Sequence, residues 1–397
     1  MIYLDNSATT KCSEKAKEIM CRVLDEDYGN PSSLHGMGVS AEHYLRSTRE
    51  VIAKSLHVKD REIIFTSGGS EANNLGLKCT ALAYKRSGMH IITTPIEHPS
   101  VKNALKYLED MYGYEITKVP VDSRGVVDMR ALSDEIREDT IMVAIMHVNN
   151  EIGTVEPIEE IGTLIKQKNP NTLFFVDAVQ SYGKLPINPA KAKIDLMSVS
   201  GHKIHGPKGS GFLYKKDGVK MQPMIHGGGQ EWGFRSGTEN VPAIAGLGIA
   251  ADEAMRAMAD GRIDEMSRLR DGFAAKLKEI EGVSVNGPAG FSGENAKSEA
   301  GVAEAAPHII SVSVDGVRAE VLLHALEDEG VYVSAGSACS SHKPTPSDTL
   351  TAIGLPKNLI ESTIRFSMSI HTTKEELDIA AERLSEIVPK LRKFTRR

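Results

Sequence analysis

One lysine of this 397-residue chain has surroundings that suit covalent catalysis. Lys203 follows an apolar run, residues 196–199, within the segment SGHKIHGPKG, whose small residues leave space above it. Desolvation and cationic neighbours make a lysine amine neutral and nucleophilic, and a neutral amine forms an imine with an aldehyde cofactor. Lys203 is therefore a candidate Schiff-base lysine, while the alternative is an ordinary surface lysine in a Gly-rich loop.

A second apolar run, residues 173–176, ends in Asp177. In a pyridoxal enzyme, a carboxylate at such a position keeps the pyridine nitrogen protonated, and the ring then acts as an electron sink. Gln180, three residues later, is placed to reach the phenolic oxygen of the same cofactor. The alternative for Asp177 is a helix N-cap after a strand, and spacing alone does not decide between the two.

Two segments offer donors for a phosphate group. In SGGSEANN, glycines such as Gly69 let the backbone approach an anion, and Ser70 can cap the following helix and donate its hydroxyl. Ser200 and His202, on either side of the SGHK glycine, add further donors. The segment lacks the lysine of a Walker A loop, so a nucleotide-triphosphate site is not indicated.

His98, in the segment IEHPS, is a candidate to stack on a cofactor ring and to transfer protons. Its alternative role is that of a hydrogen-bonded structural histidine at the end of a strand.

The four cysteines contain no CxxC pair, which argues against a disulfide framework and a zinc ribbon. Cys12, Cys21 and Cys79 are expected to be inert. Cys339 differs because it lies in SAGSACSSHKPTPSD, a run of small, polar and turn-forming residues, and it is expected to be an exposed thiol. Neither Cys339 with His342 nor the HKIH segment has a second ligand pair that completes four-coordination, so no metal site is predicted.

These segments follow short apolar runs that alternate with helical patterns, as in an α/β protein with a largely parallel sheet. Because ligands of such sheets bind beyond the carboxyl ends of the strands, we expect the polar segments to meet in one crevice. From about residue 262 the pattern changes and predicts a smaller second domain with a terminal helix from Lys374. Residues 287–306 are poor in large apolar side chains and are expected to form a mobile surface insertion. The predicted strands are residues 63–66, 91–94, 142–147, 173–176, 196–199, 211–214 and, in the second domain, 309–314.

Composition excludes several classes of protein. The chain is 41% hydrophobic and 25% charged, which is ordinary globular usage, and its net charge of −6 has no basic stripe outside residues 390–397. Nucleic acid is therefore not an expected partner. The first residues do not form a signal peptide, and the longest near-apolar run, 241–251, is too short to span a bilayer. We expect a cytoplasmic protein without a membrane partner.

The order GGSEAN, EHPS, NNEIG, VDAVQS, SGHKIHGPKG, RSGTEN and SAGSACSS resembles the cysteine desulfurases of the NifS and IscS type, from LDNSATT to TIRFSMSIHTTKEELD. The resemblance implies PLP-dependent transferase fold type I, similar to aspartate aminotransferase, with a mainly parallel seven-stranded sheet in the large domain and a smaller α+β domain. The large domain is expected at residues 13–257. The small domain is expected at residues 1–12 and 258–397, with a cysteine loop at about 334–350.

The resemblance also implies pyridoxal 5′-phosphate on Lys203 and residue roles that match the motifs. His98 would stack on the ring, Asp177 would contact the pyridine nitrogen and Gln180 the phenolate. Thr238 would reach the cofactor phosphate of the neighbouring subunit of a homodimer. The phosphate would be held by Gly69, Ser70, Ser200 and His202. Asn150 and Arg365 would bind the cofactor and the substrate carboxylate, with Asn149 as an alternative to Asn150.

The activity implied is conversion of L-cysteine to L-alanine, with the sulfur left on Cys339 as a persulfide. The sulfur acceptor would be a protein such as an iron–sulfur scaffold or a tRNA-thiolation protein. Two alternatives remain. Another PLP enzyme of the same fold, such as a selenocysteine lyase, an aminotransferase or a kynureninase, would not need Cys339, and a non-catalytic scaffold would carry no cofactor.

Overall fold

The computed structural model describes residues 1–290, 305–335 and 346–395. Cys339 and residues 291–304 of the predicted insertion lie outside the described residues. Within them, the strands are β1 (Ile2–Tyr3), β2 (Ile63–Thr66), β3 (His90–Thr93), β4 (Glu115–Lys118), β5 (Thr140–Met146), β6 (Leu173–Asp177), β7 (Leu196–Ser200), β8 (Gly211–Lys215), β9 (Val283–Asn286), β10 (Ile309–Val314), β11 (Val331–Tyr332), β12 (Ser334–Ala335) and β13 (Thr363–Ser367).

The α-helices connect these strands and cover the sheets. They are α1 (Glu14–Asp25), α2 (Gly36–Leu56), α3 (Gly69–Asn74), α4 (Thr80–Tyr84), α5 (Pro99–Tyr112), α6 (Met129–Glu135), α7 (Ile158–Lys168), α8 (Val241–Ala259), α9 (Arg262–Lys278), α10 (Ala319–Asp328), α11 (Asp348–Ala352), α12 (Lys357–Ile360) and α13 (Lys374–Thr395).

A seven-stranded sheet with the order β2-β8-β7-β6-β5-β3-β4 forms the centre of the molecule. Strand β8 is antiparallel to both of its neighbours, and the other pairs are parallel. Strands β5 and β6 are buried along their whole length, because helices cover both faces of the sheet. The α/β fold with a mainly parallel seven-stranded sheet is therefore confirmed.

Alternate residues of the buried strands of this sheet enter two separate cores. Phe174 and Val176 of β6 pack with helices α2, α7 and α8 on one face, while Phe175 packs with α3 and α5 on the other. Since side chains of a strand point alternately to its two faces, a continuous apolar run is what two covered faces require. This pattern fixes where each strand ends, and the polar segments begin at those ends.

The predicted strand positions agree with the structure to within one or two residues at each end. One strand of the central sheet, β4, was missed. It lies at the edge of the sheet, and its four residues are exposed or half-buried. An edge strand with polar side chains on both faces has no apolar run from which to predict it.

A second sheet, in the order β12-β13-β10-β9, is antiparallel throughout and packs with helices α9, α10 and α13. Its core includes Leu4 from the N-terminus. The N-terminal segment also pairs with β13, where the Ser7 amide donates to the Ser367 hydroxyl at 2.8 Å. The domain boundaries at 13–257 stay a prediction.

The predicted terminal helix from Lys374 is α13, which ends at Thr395. In the described ranges, no helix is both long and apolar enough to cross a membrane.

Candidate active site

Lys203 lies just beyond the carboxyl end of β7, in a 3-10 turn formed by Gly201–Lys203. A Cβ atom on Gly201 would lie 2.5 Å from the Ser210 hydroxyl oxygen, so this turn requires glycine. The half-buried Lys203 amine donates to the backbone carbonyls of Ser7 and, at 2.8 Å, Ala8. The N-terminal segment thus holds the amine at the carboxyl edge of the central sheet.

Gln180 and Lys203 donate hydrogen bonds to the same backbone oxygen, that of Ser7. Its Nε2 donates to the Ser7 carbonyl at 3.0 Å, and its Oε1 lies 3.2 Å from His308 Nε2. Burial lowers the pKa of His308 well below its usual value, so the ring is neutral and donates from Nε2 to the amide oxygen. His308 was not predicted, because it precedes a strand of the other sheet and no motif includes it.

Asp177 is the last residue of β6 and is almost fully buried. Its Oδ1 accepts from the Val179 amide at 3.0 Å, and its Oδ2 accepts from Asn73 Nδ2 at 2.9 Å. The first contact resembles the capping role, so one oxygen stabilises the turn while the second faces α3. Asn73 was missed as a site residue although it lies within the SGGSEANN motif.

His98 is the N-cap of α5, and its Nδ1 accepts from the Ser100 amide at 3.1 Å. The Ser100 hydroxyl lies 2.7 Å from the same nitrogen. His98 is partly exposed, but the surrounding protein desolvates its ring and lowers its pKa. Asp177 opposes this effect, and Lys203 adds to it. The structural role of His98 as a helix cap is therefore compatible with a functional role for the same ring.

The predicted phosphate donors lie around the start of α3. Gly68 has a φ of 145°, which favours glycine, and a Cβ on Gly69 would lie 2.7 Å from a methyl group of Val179 and 3.6 Å from Ser200 Cβ. Ser200 is buried beside this turn, and Ser70 is exposed at its surface. The Val179 side chain therefore leaves little room for a side chain at Gly69, and the backbone of this turn stays uncovered.

His202 is held differently from its neighbour Ser200. Its Nδ1 lies 3.2 Å from the Thr9 hydroxyl. Burial, with help from Lys203, lowers its pKa to about 4, so the ring is neutral at physiological pH. It can therefore donate one hydrogen bond without adding a positive charge.

The two adjacent asparagines have different surroundings. Asn149 is completely buried, donates to the Ile96 carbonyl at 3.0 Å, and accepts from the backbone amides two and three residues later. The Asn150 side chain has no hydrogen-bond partner among the described residues. Its role as the residue available to a ligand remains a prediction, and the geometry favours it over Asn149.

Arg365 is buried at the centre of β13 and joins three segments. One Nη donates to the Asn150 carbonyl and the other to Asp5 Oδ1, each at 2.8 Å. Its Nε is buried and has no partner among the described residues. The guanidinium therefore lies at the edge where Asn150 and the N-terminal segment meet, with donors left for a carboxylate.

Thr238 lies in an exposed loop that precedes α8. It lines a small pocket of about 130 Å³ together with Ser67 and Gly209. Arg235 of the same loop pairs with Glu71 of α3 at 2.8 Å, which connects the loop to the turn that carries the predicted phosphate donors.

Lys184 is an unpredicted lysine next to the site. Its Nζ donates to the Lys203 carbonyl at 2.9 Å. Burial and the neighbouring Lys203 lower the pKa of Lys184 to about 7. The backbone of the candidate Schiff-base lysine is thus held by a second lysine.

A groove of about 960 Å³ lies at the opposite edge of the sheet. Its buried Asp195 pairs with Lys166 at 2.7 Å and with Lys216 at 3.2 Å. Strand β7 separates Asp195 from Lys203, so this groove is not part of the candidate active site.

Comparison with known proteins gives consistent matches over nearly the whole chain. The family model described as Aminotransferase class-V matches residues 2–379. A curated relative from Dictyoglomus turgidum, named cysteine desulfurase IscS, is 43% identical over 392 residues, which is 98% of this chain and 95% of the relative. A solved structure described as a NifS-like protein has a TM-score of 0.89 at 38% identity and covers 98% of this chain and 100% of its own. Another, described as SspA in complex with cysteine, has a TM-score of 0.77 at 32% identity and covers 94% and 100%.

Proposed function

Because this chain belongs to the class V aminotransferase family, we propose that it is a pyridoxal phosphate-dependent cysteine desulfurase. It converts L-cysteine to L-alanine and passes the sulfur to an acceptor protein for iron–sulfur cluster assembly, tRNA thiolation or both. The observation that carries the proposal is the convergence of Lys203 and Gln180 on one carbonyl oxygen, at the edge of the sheet where Asp177 ends its strand.

The residues of this edge fit pyridoxal phosphate. Asp177 supplies a buried carboxylate for the pyridine nitrogen, and Gln180 an amide for the phenolic oxygen. The turn at Gly69 excludes a side chain and leaves backbone amides for the phosphate. When bound, the cofactor supplies an electron sink for the charge that develops at the substrate Cα. The other groups that would hold its phosphate are Ser70, Ser200, His202 and the neighbouring subunit's Thr238.

The chain's own residues then perform three tasks. Arg365, helped by Asn150, binds the substrate carboxylate, since the planar guanidinium matches a carboxylate better than an ammonium does. The Lys203 amine removes the Cα proton. His98 lies at the start of α5 and transfers a proton during formation of alanine.

Sulfur transfer is assigned to Cys339, which lies outside the described residues. Its thiolate attacks the substrate Sγ, so that a sulfur–sulfur bond forms and the Cβ–Sγ bond breaks. The electron pair of the broken bond stays with the substrate carbon, which takes up a proton and leaves as alanine. Two of the described cysteines are less suited to this role, because burial raises the pKa of the thiol, to about 11 for Cys79 and above its usual value for Cys12.

The active unit in this proposal is a homodimer. Large apolar side chains are exposed in the 24–39 segment, where Leu34 is 99% exposed, and in the Thr238 loop, where Trp232 is 52% exposed. Apolar side chains in such numbers mark an interaction surface, and a second copy of the chain would cover them. Dimerisation would bring Thr238 to the cofactor phosphate of the neighbouring subunit.

The proposal is tested by measuring alanine formation from L-cysteine with a reductant present. Lys203→Ala is expected to abolish alanine formation, whereas Lys208→Ala, an exposed lysine five residues away, retains it. Full turnover by Lys203→Ala would contradict the assignment. Absence of alanine from the unmodified protein with bound cofactor would contradict the desulfurase itself.

A further inference from the structure

A line of hydrogen bonds connects Asp177 to His98 through two residues with no assigned role. Asn73 Nδ2 lies 2.9 Å from Asp177 Oδ2 and 2.8 Å from the Ser100 hydroxyl. The Ser100 hydroxyl lies 2.7 Å from His98 Nδ1, and the Ser100 amide donates to the same nitrogen at 3.1 Å. Asn73 comes from α3 and Ser100 from α5, so the line crosses two βα units.

The direction of each bond in this line follows from the donors available. The Asp177 carboxylate accepts, so Asn73 must present its NH₂ group, and the opposite amide orientation would place two oxygens against each other. The second Asn73 hydrogen goes to the Ser100 oxygen. The single Ser100 hydroxyl hydrogen is then directed to His98 Nδ1.

His98 Nδ1 thus receives hydrogen bonds from two donors, the Ser100 hydroxyl and the Ser100 amide. A nitrogen that accepts is not protonated, so a neutral ring carries its proton on Nε2. His98 Nε2 has no hydrogen-bond partner among the described residues. This nitrogen is therefore the one available to the cofactor and substrate.

We propose that Asn73 and Ser100 are positioning residues that fix His98 in the Nε2–H form and orient its ring for proton transfer. The inference rests on the proposed desulfurase function for the use of that proton, but not for the form of the ring. Ser100 acts directly on the ring, and Asn73 acts by orienting the Ser100 hydroxyl. The Asp177 carboxylate sets the direction of the whole line.

Desolvation of the His98 ring favours its neutral state, while the neighbouring charges act in both directions. Desolvation, Lys203 and Lys102 lower the pKa of the ring, and Asp177 raises it. Protonation of Nδ1 would in addition place a hydrogen against the Ser100 amide. The ring therefore remains neutral over a wider pH range than an exposed histidine does.

The test uses the purified holoenzyme with ¹⁵N-labelled histidine, and His98→Gln identifies the His98 signals. We expect the Nε2–H form in the unmodified protein. In Ser100→Ala the backbone amide still donates to Nδ1, so we expect the Nε2–H form to remain the major one with a measurable fraction of the Nδ1–H form beside it. The His98 titration midpoint moves up by up to about one pH unit, as expected for the loss of one neutral hydrogen bond. Ser100→Thr, which keeps a hydroxyl, restores both properties.

Asn73→Ala is expected to shift the His98 tautomer and titration midpoint in the same direction as Ser100→Ala, but less. Without Asn73, the Ser100 hydroxyl is free to turn away from His98 Nδ1. Asn74→Ala is the matched control, because Asn74 lies in the same helix and donates to the Ser70 carbonyl instead. The pH profile of alanine formation is expected to shift in the same order, most in Ser100→Ala, less in Asn73→Ala and not in Asn74→Ala.

A dominant Nδ1–H form in the unmodified protein, or a Ser100→Ala spectrum and titration equal to those of Asn74→Ala, would overturn the proposal. Failure of the desulfurase function is separate, since it would abolish alanine formation without changing the form of the His98 ring.

Discussion

The loop that carries Thr238 is attached to helix α2 by a buried ion pair between Arg49 and Glu231. The Arg49 and Glu231 side chains are 12% and 3% exposed and form two contacts, at 2.8 and 3.0 Å. Glu231 also accepts from the Phe65 amide at 2.9 Å. The Arg49 guanidinium lies between the rings of Phe65 and Trp232, 4.3 and 4.4 Å from their centroids.

Removing one charge of this pair is expected to be costly. Glu231→Gln leaves the Arg49 charge buried and uncompensated, which destabilises a folded protein by about 3–5 kcal/mol. Arg49→Met leaves the Glu231 carboxylate in the same situation and also removes the guanidinium between the two rings. The double variant removes both charges, so its loss is expected to be smaller than the sum of the two single losses.

The assay is urea unfolding followed in two ways. Trp232 is the single tryptophan of the chain, so its fluorescence reports on the loop, while circular dichroism reports on the helices. We expect both single variants to shift the fluorescence transition to lower urea. A loss below about 1 kcal/mol in Glu231→Gln, as for a surface ion pair, or strict additivity in the double variant would refute the reasoning.

Three further predictions concern buried groups and the proposed dimer. Burial raises the pKa of Glu97 from 4.5 to about 8, so the folded state keeps a proton that the unfolded chain loses. Stability therefore falls as pH rises through this range. In Glu97→Gln, the fall of the unfolding free energy with pH, measured by urea unfolding at several pH values, is expected to be smaller by up to about 1.4 kcal/mol per pH unit. Asn149→Ala is expected to cost about 1–3 kcal/mol of unfolding free energy, whereas Asn150→Ala leaves stability unchanged and raises the KM for L-cysteine. Leu34→Asp is expected to sediment as a monomer, while Val321→Asp, on helix α10 beside the second sheet, remains a dimer. A pH dependence of stability that is unchanged in Glu97→Gln would contradict the first prediction. A larger loss of stability in Asn150→Ala than in Asn149→Ala would contradict the second, and a dimeric Leu34→Asp with a monomeric Val321→Asp would contradict the third.

The features that could be predicted from sequence are those encoded within one segment. An apolar run followed by Asp177 placed that carboxylate at the end of β6, and SGHK placed Lys203 just beyond β7. Both follow from local periodicity, because a strand buried on two faces must be apolar until it reaches the edge of the sheet.

The features that could not be predicted depend on tertiary contacts. Asn73 and Ser100 are 27 residues apart and meet because α3 and α5 pack side by side. His308, the residue before β10 of the second sheet, reaches Gln180. The difference between Asn149 and Asn150 arises from a turn in which one amide is used by the backbone, and two identical side chains give no sequence signal of this kind.

Sulfur transfer to Cys339 is the central claim, and a single-turnover experiment tests it most directly. The unmodified protein, Cys339→Ser and Cys12→Ser are mixed with L-cysteine at equal bound cofactor and without reductant, and alanine and protein-bound persulfide are measured. We predict about one alanine and one persulfide for each subunit in the unmodified protein and in Cys12→Ser, and neither in Cys339→Ser. Alanine formation by Cys339→Ser equal to that of the unmodified protein would contradict the account.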